Sequence, residues 1–349
     1  MRKQFLSLLF VLCSVSLFAW NSPVPIPNVG NARLRIVGQN VENYLSNIDA
    51  SNSSCHTQAQ FEAKTNKIAN AFLALQADIV AICEVQADDE ILGYIVDAMN
   101  TIVGGNDYDY ITDGIYVPEA DAGEYQSLKA GFIFKVGTVQ PVGNNTSPYS
   151  GSGEYFRRMR IQAFKELATD EMFVLSMNHF KAKSGGDGGE STRIQNANKL
   201  ITALQYITVD PDILIMGDLN AYMGETPINN LENAGFTEQL TEYDEDAYTY
   251  IYHGEEGILD HCMANASMAE QITGAYAYHI NTAGGYNYRY SDHDAVIVGL
   301  KLGTYSPINP DEGCMPVDAT APARKILRNG QIVIELNGEL FTITGTRIK

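Results

Sequence analysis

Asp218 and Asn220 stand two residues apart behind the apolar run Ile213-Leu214-Ile215-Met216 and Gly217. In an extended chain residues two apart share a face, so a carboxylate and an amide would leave the strand together. Such a pair at the carboxyl end of a buried strand suits a cleft that handles water, metal or phosphate. It is also ordinary Gly-Asp-x-Asn turn chemistry. The pattern recurs along the chain. Asn40 follows the strand-like Leu34 to Gln39, Glu84 interrupts the apolar run from Ala77 to Val85, and His179 closes the run that begins at Met172. Asp260 and His261 lie within Gly257 to Ala264, and Asp292 and His293 lead into Ala295 to Leu300. Each has a plainer explanation when taken alone: a turn for Asn40, a structural salt bridge for Glu84, a surface or satisfied core imidazole for His179. Together they are oxygen and imidazole donors at the ends of apolar strands, a set that suits phosphoester hydrolysis. Hard oxygens hold Mg2+, Mn2+ or Ca2+ against phosphate charge, one imidazole activates water, and another stabilises or protonates the leaving side. His261, next to Asp260 in an alternating strand, should point the opposite way.

The elements that would position these groups are legible from periodicity. Phe61, Thr65, Ile68, Phe72 and Leu75 form one helical stripe, and Ile194, Ala197, Leu200, Ile201 and Leu204 another. Asp88-Asp89-Glu90 supplies acid to the first turn of a helix that buries Ile91, Leu92, Ile95, Val96 and Met99. Further strand-like runs fall at 130–135, 159–166 and 248–252. Helices alternating with strands early and adjacent strands later predict a mixed α/β domain.

A chain of 349 residues, 45% hydrophobic and only 19% charged, is globular. Its formal charge of -19 opposes passive binding to nucleic acid or anionic membranes. The same charge is compatible with an enzyme that places a divalent cation between its carboxylates and a phosphate. Met1-Arg2-Lys3, the apolar Phe5 to Ala19 and the small residue Ala19 predict a secretory signal over 1–19. The expected product is exported (secreted, periplasmic or cell-surface), has no stable membrane insertion, and needs no protein partner beyond the export machinery. Cys83 and Cys262 read as buried small hydrophobes, while Cys55 and Cys314 lie in polar loops and could pair after export. The main domain is expected over 20–303, a proline-rich linker over 304–323 and a β-hairpin tail around Asn337-Gly338 over 324–349.

The ordered motifs resemble the endonuclease/exonuclease/phosphatase superfamily, which contains DNase I. They are Gln39-Asn40-Val41, the Asp78 to Val85 run ending Cys83-Glu84-Val85, Asn178-His179-Phe180-Lys181, Gly217-Asp218-Leu219-Asn220-Ala221, Leu259-Asp260-His261 and Ser291-Asp292-His293-Asp294. The resemblance spans about 34–302 and is closest to exported bacterial nucleases. It implies a four-layer α/β sandwich of two mixed sheets flanked by helices. It further implies metal ligation by Glu84 with Asn40 and Asp292, and His293 as general base oriented by Asp260. His179 would contact phosphate and the leaving group, Asp218 and Asn220 would position water and phosphate, and Arg157 would contact phosphate. The implied substrate is nucleic acid, DNA ahead of RNA, with Mg2+ ahead of Mn2+ or Ca2+. Two alternatives carry different substrates or none: a phosphatase or phospholipase of the same superfamily, and a surface binding module on an inactive scaffold.

Overall fold

Strand alternation decides where the candidate side chains go. The computed structural model describes residues 20–114, 117–147 and 159–303, together with the backbone of four strands between 324 and 348. In chain order the first unit runs β1 (Leu34–Tyr44), α1 (Gln58–Ala74), β2 (Ile79–Gln86), α2 (Ile91–Val103), β3 (Tyr108–Tyr110), β4 (Leu128–Lys135), β5 (Val139–Thr146), β6 (Met159–Glu166), β7 (Met172–His179) and α3 (Glu190–Gln205). It continues β8 (Ile213–Asp218), α4 (Thr226–Asn233), β9 (Phe236–Glu238), α5 (Leu240–Tyr243), β10 (Tyr250–Tyr252), β11 (Glu255–Gly257), β12 (Asp260–Asn265), α6 (Ala266–Ala269), β13 (Ile272–Tyr278) and β14 (Ala295–Leu300). Two six-stranded mixed sheets result, ordered β13-β14-β1-β2-β4-β3 and β5-β6-β7-β8-β12-β9. Each has one parallel pair, β1 with β2 and β7 with β8.

The sheets bury one face against each other. Leu34, Ile36, Ile79, Ala81 and Phe132 of the first meet Phe164, Phe173, Leu175, Met177, Leu214, Met216 and Cys262 of the second. The opposite face of the first sheet packs with Phe61, Ile68 and Phe72 of α1 and Ile91, Ile95 and Met99 of α2. That of the second packs with Ala197, Leu200 and Leu204 of α3 and Ile228 and Leu231 of α4. The result is the expected four-layer α/β sandwich. Period-two alternation then carries the inter-sheet face out to the strand ends. Leu34 and Ile36 lead to Asn40, Phe173, Leu175 and Met177 lead to His179, Leu214 and Met216 lead to Asp218, and Ala264 and Cys262 lead back to Asp260.

Close approach of β7 and β8 depends on Gly217, opposite Asn178 in the register that also sets His179 against Asp218. Its φ is 127°, and a Cβ there would lie 2.0 Å from the Asn178 carbonyl oxygen. Gly217→Ala therefore adds a backbone clash to a conformation that L-residues avoid. A loss of at least about 3 kcal/mol is expected in denaturant unfolding, and a loss under 1 kcal/mol would show that the strands separate without cost.

His261 does face the other way. It is fully buried, with Nδ1 2.6 Å from Glu238 Oε2 and Nε2 2.8 Å from the Ala221 carbonyl. Both ring nitrogens meet acceptors, and only the doubly protonated imidazolium satisfies both. Burial alone would lower its pKa, but the Glu238 hydrogen bond and charge, with Ala221, hold it above the ordinary value. The stabilisation is thus complete below the unfolded value of about 6.5 and is lost as pH rises through the raised folded value. The denaturation midpoint of the native protein should fall between pH 6 and pH 9 more steeply than that of His261→Gln; parallel curves would contradict an imidazolium there.

Residues 306–349 form a second unit. Within it β15 (Arg324–Arg328), β16 (Gln331–Leu336), β17 (Glu339–Phe341) and β18 (Arg347–Ile348) pair antiparallel in chain order. The hairpin expected from Asn337-Gly338 is its central pair, with Leu336 opposite Glu339. The segment therefore carries four strands where two were expected. The expected signal over 1–19 and Cys314 lie outside the described residues. Cys55 is buried in the core beside α1, and Cys83 and Cys262 are fully buried as expected. Among the described residues no helix is long and apolar enough to cross a membrane.

Candidate active site

Glu84 reaches the cleft by breaking alternation. In β2, Ile79, Ala81 and Cys83 face the other sheet while Val80 and Ile82 face the helices, so position 84 should point among the helices. Instead its φ is 61°, and the register with β4 jumps from Cys83 opposite Ala130 to Val85 opposite Lys129. Glu84 is the extra residue of a β-bulge, which frees its carboxylate toward the strand ends and returns Val85 to the helix-facing core. The neighbouring strand departs too, with Glu42 and Asn43 at φ 51° and 47°. These turns aim the Asn43 amide at Glu84 Oε2, 2.9 Å away. A non-glycine residue in the left-handed region costs about 1–3 kcal/mol and persists where the surroundings impose it.

The carboxylates converge on two imidazoles. Asn40 Nδ2 donates to Glu84 Oε1 at 3.0 Å and to Asp218 Oδ2 at 3.1 Å. His179 Nε2 lies 3.4 Å from Glu84 Oε1 and 3.7 Å from Asp218 Oδ2. His293 Nδ1 donates to Asp260 Oδ2 at 2.6 Å, which turns Nε2 toward Asp218 Oδ2, 3.8 Å away. Asn220, at φ 49°, does not continue the strand. Its backbone N–H donates to Asp218 Oδ1 at 2.9 Å and its amide to Asp218 Oδ2 at 3.1 Å. The turn and the site are thus one structure, and the two side chains meet by a turn rather than by sharing an extended face.

Glu84, His179 and Asp218 each offer one ligand atom, all within 4.8 Å of one another. Two carboxylate oxygens and an imidazole nitrogen fit a divalent cation. This trio differs from the expected ligands Asn40, Glu84 and Asp292 in two members. Asn40 presents its NH2 to the carboxylates because both are acceptors, and its oxygen accepts from the Glu42 N–H at 2.9 Å. Asp292 is half-buried at the cleft edge, where its charge acts on His293 and Glu42. Arg157 lies outside the described residues. Arg160, three residues further on, is buried and bonded to Asp113 at 2.6 Å.

Burial raises the Asp218 carboxyl, and Asp260 and Glu84 add to this against the two imidazoles. For His293 burial would lower the pKa, but Asp260, Asp218 and Asp292 outweigh it and hold the value well above the ordinary one.

Several supports carried no clear sequence signal. Thr249 Oγ1 accepts the Leu259 and Asp260 amides at 3.0 and 2.9 Å, fixing the start of β12. Asn281 holds the loop before β14, accepting from the Tyr290 and Ser291 amides and donating to the His293 carbonyl at 2.6 Å. Asp294 accepts from the Asn281 and Thr282 amides and from His279 Nδ1. The Tyr250 ring covers His293 with centroids 4.6 Å apart. Ser291, whose hydroxyl bonds the Asn40 carbonyl at 2.7 Å, and Asp294 are the two that the Ser291-Asp292-His293-Asp294 motif could have flagged.

A family model of endonuclease/exonuclease/phosphatase proteins matches residues 47–293. The chain belongs to the Endonuclease/Exonuclease/phosphatase family. Members of this family are divalent-metal-dependent phosphoester hydrolases. The sequence has no match among curated proteins. Among solved structures, a family member from Bacteroides vulgatus superposes with TM-score 0.55 at 15% identity, covering 77% of this chain and 98% of that one. A Danio rerio TDP2 complexed with single-strand DNA product gives 0.52 at 13% identity, with coverage of 77% and 98%. A Bacteroides thetaiotaomicron mannosyl-6-phosphatase gives 0.51 at 15%, with 77% and 99%. At these identities the likeness is one of fold.

Proposed function

We propose that the protein is an exported, metal-dependent phosphodiesterase, most simply an endonuclease acting on extracellular nucleic acid, DNA ahead of RNA. The observation that carries this is the convergence on Asp218 of an Asp260-oriented His293 and a Glu84–His179 pair, all within 4 Å. The cation fitted by Glu84, His179 and Asp218 would neutralise phosphate charge. Asp260 accepts a hydrogen bond from Nδ1–H, so neutral His293 presents a basic Nε2 that removes a proton from the attacking water. Asn220 and Asp218 hold that water and the phosphate. As the new P–O bond forms and the leaving P–O bond breaks, His179 steadies the phosphate oxygens and the departing oxygen. Strong negative charge, which would repel a polyanion, makes the cation a condition for binding as well as for chemistry.

The motif resemblance and the DNA-bound fold relative support nucleic acid as substrate. The test is purified mature protein with plasmid DNA, RNA, a nucleotide phosphomonoester and a phospholipid, each with Mg2+, Mn2+, Ca2+ or EDTA. Cleavage of plasmid that EDTA stops is expected. Hydrolysis confined to the small or lipid substrates would replace the nuclease with a phosphatase or phospholipase, and no hydrolysis anywhere would leave a binding scaffold.

A further inference from the structure

Beside the cleft lies a cavity of about 440 Å3 lined by Lys64, Lys67, Arg289, Tyr286, Tyr290 and Glu42, among others. Three cations against one carboxylate make it locally basic in a chain whose net charge is -19. Lys64 is 8% exposed; its Nζ donates to the Glu42 carbonyl and to Ser54 Oγ, each at 2.8 Å, with Glu42 Oε2 at 3.9 Å. An ammonium has three donors, so a buried one with two hydrogen bonds keeps one for the cavity that it lines. Burial lowers its pKa, against the pull of Glu42, Glu84 and Asp292. A further anion in the cavity would stabilise its charged form.

The opposite wall is held in place. Lys67 Nζ donates to the Tyr286 and Arg289 carbonyls at 2.8 and 3.1 Å and sits 5.0 Å from the Tyr286 ring. Arg289 gives its Nε to the Ser291 carbonyl at 3.0 Å. Tyr286 is 90% exposed, an open aromatic face at the rim. The cavity adjoins the catalytic residues through the 42–43 turn. Glu42 lines it, while the adjacent Asn43 amide bonds Glu84. Charges at Glu84 and Asp292 act on both Glu42 and Lys64.

We propose that this cavity is an anion subsite that receives a second phosphate of an oligonucleotide, distinct from the phosphodiester cleaved at Glu84, with Tyr286 offering a face to a neighbouring base. Lys64 and Arg289 supply the donors, and Lys67 fixes the loop that carries Arg289. The subsite rests on the nuclease reading above. It adds that substrates with two or more phosphates are preferred over an isolated diester, so that the enzyme selects oligonucleotides by charge on one side of the scissile bond.

The test uses the full mature chain with TpT, pTpT and TpTp, which share one phosphodiester and differ by a terminal phosphate. One of the two phosphorylated forms is expected to show kcat/KM about tenfold above TpT, expressed in KM, as befits one charge-assisted hydrogen bond. Arg289→Gln and, separately, Lys64→Met should erase that advantage while leaving TpT turnover in place, which also reports that each variant is folded. Equal kcat/KM for all three substrates, or an advantage that survives both substitutions, overturns the subsite. If none of the dinucleotides is cleaved, plasmid cleavage decides the nuclease reading, and the subsite is decided by calorimetry with inorganic pyrophosphate in EDTA. Binding that Arg289→Gln removes would sustain it, and no binding to the native protein would end it.

Discussion

His293→Ala is expected to lower kcat by roughly 10²- to 10⁴-fold, the range that a positioned general base contributes, with the far-ultraviolet circular dichroism spectrum unchanged. The geometry gives the reason. Asp260 fixes one ring nitrogen at 2.6 Å and leaves the other facing Asp218, so the imidazole is held with a nitrogen turned to the cleft. The substitution also strands the buried Asp260 carboxylate, and some stability will go with it. A second variant separates chemistry from stability. Base catalysis needs the neutral imidazole, whose pKa is raised because Asp260, Asp218 and Asp292 together outweigh burial. The acid limb of the kcat/KM profile should therefore rise with pH through that raised value. Asp260→Asn removes the first of those carboxylates and should move the limb to lower pH while depressing its plateau. Full activity in His293→Ala, or an acid limb that Asp260→Asn leaves unmoved, would remove His293 from the role of base.

What the sequence made legible follows from strand parity. Asn40, His179, Asp218 and Asp260 lie on the inter-sheet face of strands whose apolar residues alternate cleanly, so their convergence can be extrapolated from Leu34, Phe173, Leu214 and Cys262. His261, one step out of phase, reads correctly as a structural residue for the same reason. Glu84 could not be placed in this way. Parity sends it to the helices, and only the register jump at Val85 shows that a bulge has intervened. Asn220 fails similarly, because a left-handed backbone replaces the extended one that spacing assumes. Asn40 carries a further ambiguity: an asparagine near two carboxylates turns its nitrogen to them, and sequence does not say which end of an amide faces a site. Asn281 and Thr249 act through backbone groups far away in sequence, so local pattern had nothing to register. The four-stranded C-terminal unit exceeded the expected hairpin because its outer strands, five and two residues long, lack strong alternation.

Glu84 should separate function from stability. Glu84→Gln keeps the bulge and the volume but removes one anionic oxygen donor from the trio. Several kcal/mol of charge stabilisation depend on the cation, so kcat/KM should fall by roughly 10²- to 10³-fold, and calorimetric Mn2+ affinity should weaken in parallel. Glu84→Gly should be as inactive, yet the protein should gain roughly 1 kcal/mol of stability. Releasing a left-handed glutamate recovers about 1–3 kcal/mol, and glycine returns about 0.5–1 kcal/mol of that as chain entropy. The Asn43 amide that loses Glu84 Oε2 is only half-buried and can turn to water. A stability gain in Glu84→Gly that is absent from Glu84→Gln would assign the strain to the backbone at φ 61°. Loss of stability in both would mean instead that Glu84 is held by its bonds to Asn40 and Asn43 as a structural acid, and a Mn2+ affinity unchanged in Glu84→Gln would take it out of the metal site.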